Sequence, residues 1–265
     1  MAAEAIDLRP TIDRAWLERA AAEDPITHAF ALWDLDRYPG RVRFVSAVGP
    51  ATTEGYLLVW LGHPSAPIVH WFGGTDAARA LADALPPRPL VAIVPEEVGT
   101  AVERARGPVH VHRLLGLVAE GDPGREAEDF APGVRPLTGA DRAYLTAWAS
   151  RHREPVVAEY PGLDPDLEAI WGFFDGPRLL GVVRAAVCLS TVWLLAGVYV
   201  EPAARGRGIG LALVRAALSA GRRAGATVAL YVREDRPAAR TVYERAGFRP
   251  QHRRLWIDAG ADLEP

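Results

Sequence analysis

A strand, a glycine-rich turn and a helix follow one another directly in the second half of the chain, and this feature constrains the fold most. The apolar run Val192–Val200 predicts a buried strand, and the apolar period over residues 207–223 predicts a helix. Three glycines lie where the two elements join: Gly206, Gly208 and Gly210. Because they lack Cβ atoms, a ligand can approach the backbone closely. The unpaired N–H groups that begin the helix then suit a phosphate or pyrophosphate.

Three patterns of phosphate-binding turn compete for this segment. A dinucleotide fingerprint needs a third glycine at the position that Leu211 occupies. A nucleoside-triphosphate loop needs a lysine, and this chain has none. All 30 residues counted as Lys or Arg are arginine. The remaining pattern is Arg-x-x-Gly-x-Gly, which Arg205, Gly208 and Gly210 satisfy. An ordinary glycine-rich connection without a ligand is the alternative.

The residue types that the chain lacks exclude several mechanisms. Without lysine there is no Schiff-base enzyme, no pyridoxal-phosphate anchor and no protein kinase of the usual design. The single cysteine, Cys188, excludes an internal disulfide framework and a multi-cysteine zinc site. His110 and His112 share one face of a predicted strand, but no further ligand lies near them in sequence, so no metal is expected.

The charge distribution favours a small anionic ligand. The net charge of the 265 residues is −3, which disfavours a general nucleic-acid binder. After Val200 the balance reverses, with 12 arginines against seven acidic residues. No apolar run approaches the ~20 residues of a membrane span, and residues 1–7 do not have the pattern of a signal peptide. We therefore expect a cytoplasmic protein without membrane or nucleic-acid partners.

Two α/β halves are predicted, separated by a polar, turn-rich stretch. We predict an N-terminal α/β domain over residues 1–126, a linker over 127–132 and a second domain over 133–265. Both halves begin with antiparallel strands and continue with alternating strands and helices, so a degenerate duplication is one interpretation. Leu163–Trp171 is predicted as a helix that precedes a hairpin across residues 175–177.

Two motifs in the second half resemble the GNAT (GCN5-related N-acetyltransferase) superfamily, whose members bind coenzyme A through a similar turn. The first is the Arg-x-x-Gly-x-Gly turn. The second is Val232–Phe248, which looks like the strand, loop and helix of the family and ends in its Tyr-x-x-x-Gly-Phe signature. The segment Ala29–Leu35 more faintly resembles the leading domain of two-domain glycine N-acyltransferase-like (FR47-like) members.

The resemblance implies a fold and a co-substrate. The fold is α/β with a mixed sheet: a C-terminal GNAT domain preceded by a smaller α/β domain, with a degenerate GNAT-like fold as one interpretation. The co-substrate is acetyl-CoA or another acyl-CoA, and no metal is implied. The implied cofactor-binding residues are Val198, Tyr199, Val200, Arg205, Gly206, Arg207, Gly208, Ile209, Gly210, Arg236 and Tyr243. Arg236 stands where the family often has asparagine. This is the clearest departure of the sequence from the family pattern, and it affects the implied contact of residue 236 with the cofactor.

Acyl transfer needs an acid and a base. In the second motif only Tyr243 can give a proton to the departing thiolate, so we assign it as the general acid. The strand residues 192–197 carry no carboxylate, although family members often place a glutamate there. Our candidates for the general base are His152, Glu154, Glu159, Tyr160 and Glu168, and we prefer Glu159. We expect the Glu201 side chain to turn outward.

The leading hypothesis is an acyl-CoA-dependent N-acyltransferase, most simply an N-acetyltransferase, that acts by direct transfer to an amine in a ternary complex. A small-molecule amine and a peptide amine are both open as acceptors, and the oligomeric state cannot be inferred. The alternative is a regulatory or structural protein that binds acyl-CoA but has lost the acceptor chemistry. The missing carboxylate on the strand supports that alternative.

Overall fold

The computed structural model describes residues 6–63, 65–121, 131–152, 163–166 and 168–263. The chain divides into two compact units. Unit 1 contains the chain up to Leu115 together with Arg253–Leu263, and unit 2 contains Gly116–His252. The predicted boundary lies in the stretch 122–130, which is outside the described residues, so the linker stays a prediction.

Unit 1 has an antiparallel meander followed by one parallel pair. Its strands are β1 (Asp7–Arg9), β2 (Val42–Val48), β3 (Thr53–Trp60), β4 (Ile68–Gly73) and β5 (Leu90–Pro95). Its helices are α1 (Arg14–Glu23), α2 (Ala29–Arg37), α3 (Thr75–Asp83) and α4 (Gly99–Arg106). Strands β1 to β4 pair antiparallel in sequence order, and β4 pairs parallel with β5. Residues 254–259 of the last strand, β12 (Phe248–Ala259), pair antiparallel with β5.

Unit 2 has the same arrangement. Its strands are β7 (Val134–Pro136), β8 (Ala169–Asp175), β9 (Arg178–Cys188), β10 (Val192–Val200) and β11 (Thr227–Arg233), with the end of β6 (His110–Ala119) beside β11. Its helices are α5 (Arg142–Ala149), α6 (Ile209–Arg223) and α7 (Pro237–Arg245). Strands β7 to β10 pair antiparallel, and β10 pairs parallel with β11.

Both units therefore place a helix after the fourth strand of a meander and return to a parallel fifth strand. In unit 1 this helix is α3, and in unit 2 it is α6. The mixed α/β sheet predicted from the sequence is confirmed. No described helix has the combination of length and apolar character that crossing a bilayer requires.

Helices cover the sheets with apolar faces at the expected spacing. In α6 the residues Ile209, Leu213 and Ala216 follow an i, i+4, i+7 pattern and are buried. On another surface of the unit 2 sheet, Leu145 and Trp148 of α5 pack in a cluster that includes Tyr199 of β10. Strand β10 therefore lies between apolar layers, and this fixes the position of the turn that follows it.

Two local predictions differ from the structure. Leu163–Trp171 was expected to be helical, but residues 169–171 begin β8, where Trp171 pairs with Val183. The apolar run there is too short to separate a strand from a helix by periodicity, and pairing with β9 decides the outcome. Strand β1 was not expected, because its three residues are exposed, two of them are charged, and it forms through pairing with β2.

Gly181 of β9 lies where β10 and α6 approach most closely. A Cβ at this position would lie 2.7 Å from the Tyr199 carbonyl oxygen and 3.1 Å from Leu213 Cδ1. We predict that Gly181→Ala lowers the free energy of unfolding by about 1–3 kcal/mol, because strand and helix must move apart. Gly40→Ala is the matched control, since a Cβ there meets no atom within 4 Å, and it should change stability by less than about 0.5 kcal/mol. Urea denaturation measures both, and equal effects would contradict the packing argument.

Candidate active site

Strand β10 leaves its parallel neighbour partway along its length. The parallel ladder with β11 runs from Val192 opposite Thr227 to Leu195 opposite Leu230, although β10 continues to Val200 and β11 to Arg233. The register with β9 shifts between Ala196 and Tyr199, and Gly197 there has a positive φ of 63°. A bulge of this kind bends a strand and redirects its backbone groups. The second half of β10 is thus shaped to accept an extended ligand beside its backbone.

The turn after β10 presents an uncapped helix start. A short 3₁₀ turn, Pro202–Ala204, leads to Gly206 and Gly208, whose φ angles are 78° and 79°. Gly208 is the N-cap of α6 and provides no side-chain cap. A Cβ at either glycine would meet no atom within 4 Å, so the space in front of both is open. The first N–H groups of the 15-residue helix α6 face this space with the positive end of the helix dipole.

Two arginines flank the turn. The Nε of Arg205 donates to the Val200 carbonyl at 3.1 Å, and its guanidinium lies 5.8 Å from the centre of the Tyr199 ring. Arg207 pairs with Asp175 at 3.1 Å, and both side chains are more than half exposed. The turn therefore carries the positive charge that the sequence indicated. A ligand that bonds the Val200 carbonyl must share it with Arg205 or displace that side chain.

The remaining residues of the turn lie close to α7. Ile209 is buried under the turn, and a Cβ at Gly210 would make ordinary contact with Val242 of α7 at 3.9 Å. Arg236 is the N-cap residue of α7 and is exposed, and its backbone N–H donates to the Arg233 carbonyl. The helix that carries Tyr243 thus contacts the start of α6.

Tyr243 is a buried phenol. Its ring packs edge-to-face against Phe248, with centroids 6.3 Å apart. Burial raises the pKa of Tyr243 to about 12, so the hydroxyl stays protonated at neutral pH. A phenol that stays protonated at neutral pH is able to donate a proton.

Comparison with known proteins identifies the domain that carries this site. The model of the acetyltransferase (GNAT) family matches residues 137–248. Residues 137–248 are a GNAT-family domain. The family predicted from the two motifs is thus confirmed.

The relatives of this GNAT domain are acetyltransferases. A mycothiol acetyltransferase of Nocardia farcinica is 52% identical over 130 residues, which are 49% of this chain and 36% of that protein. A second mycothiol acetyltransferase, from Geodermatophilus obscurus, is 41% identical over 115 residues, covering 38% of this chain and 34% of the relative. The matched part of the chain spans about a third of the length of these curated relatives.

Solved structures resemble nearly the whole chain. A GNAT acetyltransferase structure from Sphaerobacter thermophilus covers 97% of this chain and 98% of its own, with a TM-score of 0.63 and 20% identity. At this identity the likeness shows the fold alone. It agrees with the prediction of a GNAT domain preceded by a second α/β domain.

Glu201, which directly follows β10, was expected to turn outward, and this expectation is wrong. Its side chain is only 16% exposed, and its Oε1 accepts a hydrogen bond from Trp148 Nε1 at 3.0 Å. The buried indole of α5 has no other way to satisfy its N–H in an apolar core, so it holds the carboxylate inward. Glu201 Oε1 also lies 3.4 Å from His152 Nε2.

The predicted base candidates have different outcomes. Glu159, Glu154 and Tyr160 lie outside the described residues, so the preferred assignment of Glu159 remains a prediction. Glu168 precedes β8, and its backbone N–H donates to the Asp164 carbonyl. His152 follows α5 and meets Tyr199 of β10 and Glu201. Sequence reasoning missed this grouping, although Trp148 and His152 have the i, i+4 spacing that places two rings together.

The described residues show no grouping of metal-ligating side chains around this site. Over the described ranges, no three His, Cys, Asp or Glu side chains gather as ligands. His110 is exposed on β6, and Cys188 ends β9 with its sulfur near the Ala185 carbonyl.

The pKa of Tyr243 predicts a pH dependence of stability. The unfolded chain ionises this phenol near pH 10, whereas the folded chain does so near pH 12. The protonated phenol of Tyr243 therefore contributes fully to the stability of the folded chain below about pH 10, and this contribution is lost as the pH rises through about 12. Between these limits, the wild type should lose about 3 kcal/mol more of its free energy of unfolding than Tyr243→Phe. Urea denaturation from pH 9 to 11.5 measures this, and parallel curves for the two proteins would show that the phenol is not buried in the folded state.

Proposed function

We propose that this protein is an acyl-CoA-dependent N-acetyltransferase, which transfers acetyl from acetyl-CoA to a primary amine by direct attack in a ternary complex. The observation that carries the proposal is the open glycine turn at the start of α6, placed directly after the strand that leaves its parallel partner. An anion-binding turn beside a strand that has left its parallel ladder matches a ligand with a pyrophosphate at one end and amides at the other.

In this proposal the cofactor follows β10 into the turn. The amides of residues 205–210 hold the pyrophosphate, with Arg205 and Arg207 adding charge-assisted hydrogen bonds. The backbone at Val198 and Val200 pairs with the pantetheine amides, and a backbone N–H in this stretch polarises the thioester carbonyl. Arg236, exposed at the start of α7, is proposed to contact a phosphate of the cofactor.

The chemistry requires a neutral amine and a proton for the leaving thiolate. The amine nitrogen attacks the thioester carbonyl, the carbon–sulfur bond breaks, and the thiolate takes a proton. Tyr243 supplies that proton in the proposal, because its raised pKa keeps it protonated at neutral pH. Glu159 remains the base proposed from the sequence.

The acceptor follows from the relatives. Because the relatives matched over the C-terminal half are named mycothiol acetyltransferases, we propose a small-molecule amine of that class as the acceptor. The alternative of a non-catalytic acyl-CoA-binding protein gains no support from these relatives.

The proposal is tested by following coenzyme A release with a thiol reagent. We expect acetyl-CoA to raise the melting temperature and amine acceptors to release the free thiol in proportion to N-acetylated product detected by mass spectrometry. Stabilisation by acetyl-CoA without product over a broad panel of amines would favour the non-catalytic alternative. No thermal shift with any acyl-CoA would contradict both.

Gly208 offers a sharper test because the chain contains a matched control. Gly208 and Gly225 lie at opposite ends of α6, with φ angles of 79° and 76° and open space around the missing Cβ in each case. Alanine at either position should cost about 1–2 kcal/mol of backbone strain. We predict that only Gly208→Ala raises the KM for acetyl-CoA, by about tenfold or more for a lost interaction of about 1.4 kcal/mol. Equal KM values in the two variants would remove the turn from the cofactor site.

Unit 1 repeats the strand order but fills the equivalent position with its own side chains. Its parallel ladder ends at His70 opposite Ile93, and the next carbonyl, that of Trp71, accepts a hydrogen bond from Arg254 at 2.9 Å. Trp71 Nε1 donates to the Gly73 carbonyl at 3.2 Å. Helix α3, which follows, has Asp76 in its first turn, and this charge disfavours an anion there.

We therefore predict that one acetyl-CoA binds per chain. Isothermal titration calorimetry should give a stoichiometry of one, and Arg205→Ala should weaken that single event. A second binding event that survives Arg205→Ala would show that unit 1 also holds the cofactor.

A further inference from the structure

A histidine, a tyrosine and a glutamate meet beside the end of β10. His152 Nδ1 lies 3.2 Å from the Tyr199 hydroxyl, and His152 Nε2 lies 3.4 Å from Glu201 Oε1. The His152 and Glu201 side chains are 14% and 16% exposed, and Tyr199 is buried. Three groups that can exchange protons thus form a continuous chain in a largely water-free place.

The buried indole of Trp148 fixes this chain. Its ring lies 4.7 Å from that of His152 and 5.7 Å from that of Tyr199, and its Nε1 donates to Glu201 Oε1. The backbone N–H of His152 donates to the Ala149 carbonyl, which ties the histidine to the end of α5. Such packing limits the rotation of the imidazole, and a preorganised imidazole needs little reorganisation when it accepts a proton.

The partners assign the tautomer of His152. A carboxylate can only accept, so the neutral imidazole carries its hydrogen on Nε2, toward Glu201. Nδ1 then accepts a hydrogen bond from the Tyr199 hydroxyl. Nε2 is buried and makes no well-formed hydrogen bond within the described part of the chain, so the contact with Glu201 can shorten when the ring becomes charged.

We propose that Tyr199, His152 and Glu201, rather than Glu159, are the proton relay that deprotonates the acceptor amine. This inference rests on the proposed acetyl transfer. As the amine nitrogen bonds to the thioester carbon, its proton passes to the Tyr199 oxygen, directly or through one water. The Tyr199 hydroxyl proton passes to His152 Nδ1, and the resulting imidazolium pairs with the Glu201 carboxylate. One proton has left the amine and one imidazolium has formed, while the thiolate is protonated separately.

Two features of the strand place this relay at the reaction. Tyr199 lies between Val198 and Val200, the residues whose backbone is proposed to hold the pantetheine. The strand residues 192–197 carry no carboxylate, so a base for this chain has to come from another position. The relay provides this base: His152 follows α5, and Glu201 directly follows β10.

Charged side chains face the relay from β9 and from the end of β10. Glu201 faces it from the end of β10, and Arg178 at the start of β9 lies 3.8 Å from the other carboxylate oxygen, with its own side chain 75% exposed. The Arg205 guanidinium lies 5.8 Å from the centre of the Tyr199 ring. The charged side chain in contact with the His152 ring is the Glu201 carboxylate, 3.4 Å from Nε2.

The relay is tested with His152→Gln, and His110→Gln on an exposed part of β6 is the matched control. Loss of a general base lowers kcat by about 10²–10⁴-fold. We expect a loss in this range for His152→Gln at neutral pH, with the KM and thermal shift for acetyl-CoA unchanged. The pH profile of His152→Gln should lose the limb that reports the relay base, whereas the limb set by protonation of the amine should remain in both proteins. His110→Gln should match the wild type at every pH.

Two further variants keep the test decisive if His152→Gln does not fold. Tyr199→Phe keeps the ring packing but breaks the relay, and Glu201→Gln keeps an acceptor for Trp148 but removes the negative charge. Both should lower kcat and leave acetyl-CoA binding intact. If the wild type is active and the variants have the same activity and the same pH profile, the relay alone is overturned. A wild type that transfers acetyl to no amine would overturn the proposed function together with the relay.

Discussion

The separation of β10 from β11 after Leu195 is the constraint on which the rest of the unit 2 site depends. Up to that residue the two strands share a parallel ladder, and beyond it the bulge at Gly197 changes the register of β10 against β9. Apolar packing on β10 prevents the strand from simply following its neighbour: Tyr199 is held in the cluster of α5, and Gly181 allows close approach of α6. The strand end, the glycine turn and the start of α6 are therefore fixed relative to one another before any ligand binds.

Unit 1 shows what the same arrangement becomes without those local features. Its fourth strand also leaves a parallel partner, but Arg254 and the Trp71 indole satisfy the carbonyls that follow. One of its buried polar side chains also pairs internally: His28 contacts the Tyr56 hydroxyl at 2.8 Å, and burial lowers the pKa of His28 to about 4. A fold can thus be repeated while the chemistry of its cleft is replaced by structural hydrogen bonds.

The sequence predicted the parts of the site that depend on local patterns. The bounds of β10, the helix after the glycines and the burial of Tyr243 all follow from apolar periodicity and turn residues over short stretches. The inward turn of Glu201 could not be found this way, because it depends on an indole 53 positions earlier in the chain. The strand at 169–171 was missed for a related reason, since its partner β9 determines its conformation. Contacts between distant residues, rather than propensities, decide these cases.

The central claim is that the second half of β10 and the turn before α6 hold an acyl-CoA. Amide hydrogen exchange with and without acetyl-CoA tests it directly, because a ligand that bonds backbone N–H groups slows their exchange. The account predicts increased protection over residues 198–210 and little change in β1 to β5 of unit 1. Protection confined to unit 1, or none over residues 198–210 at saturating acetyl-CoA, would contradict it.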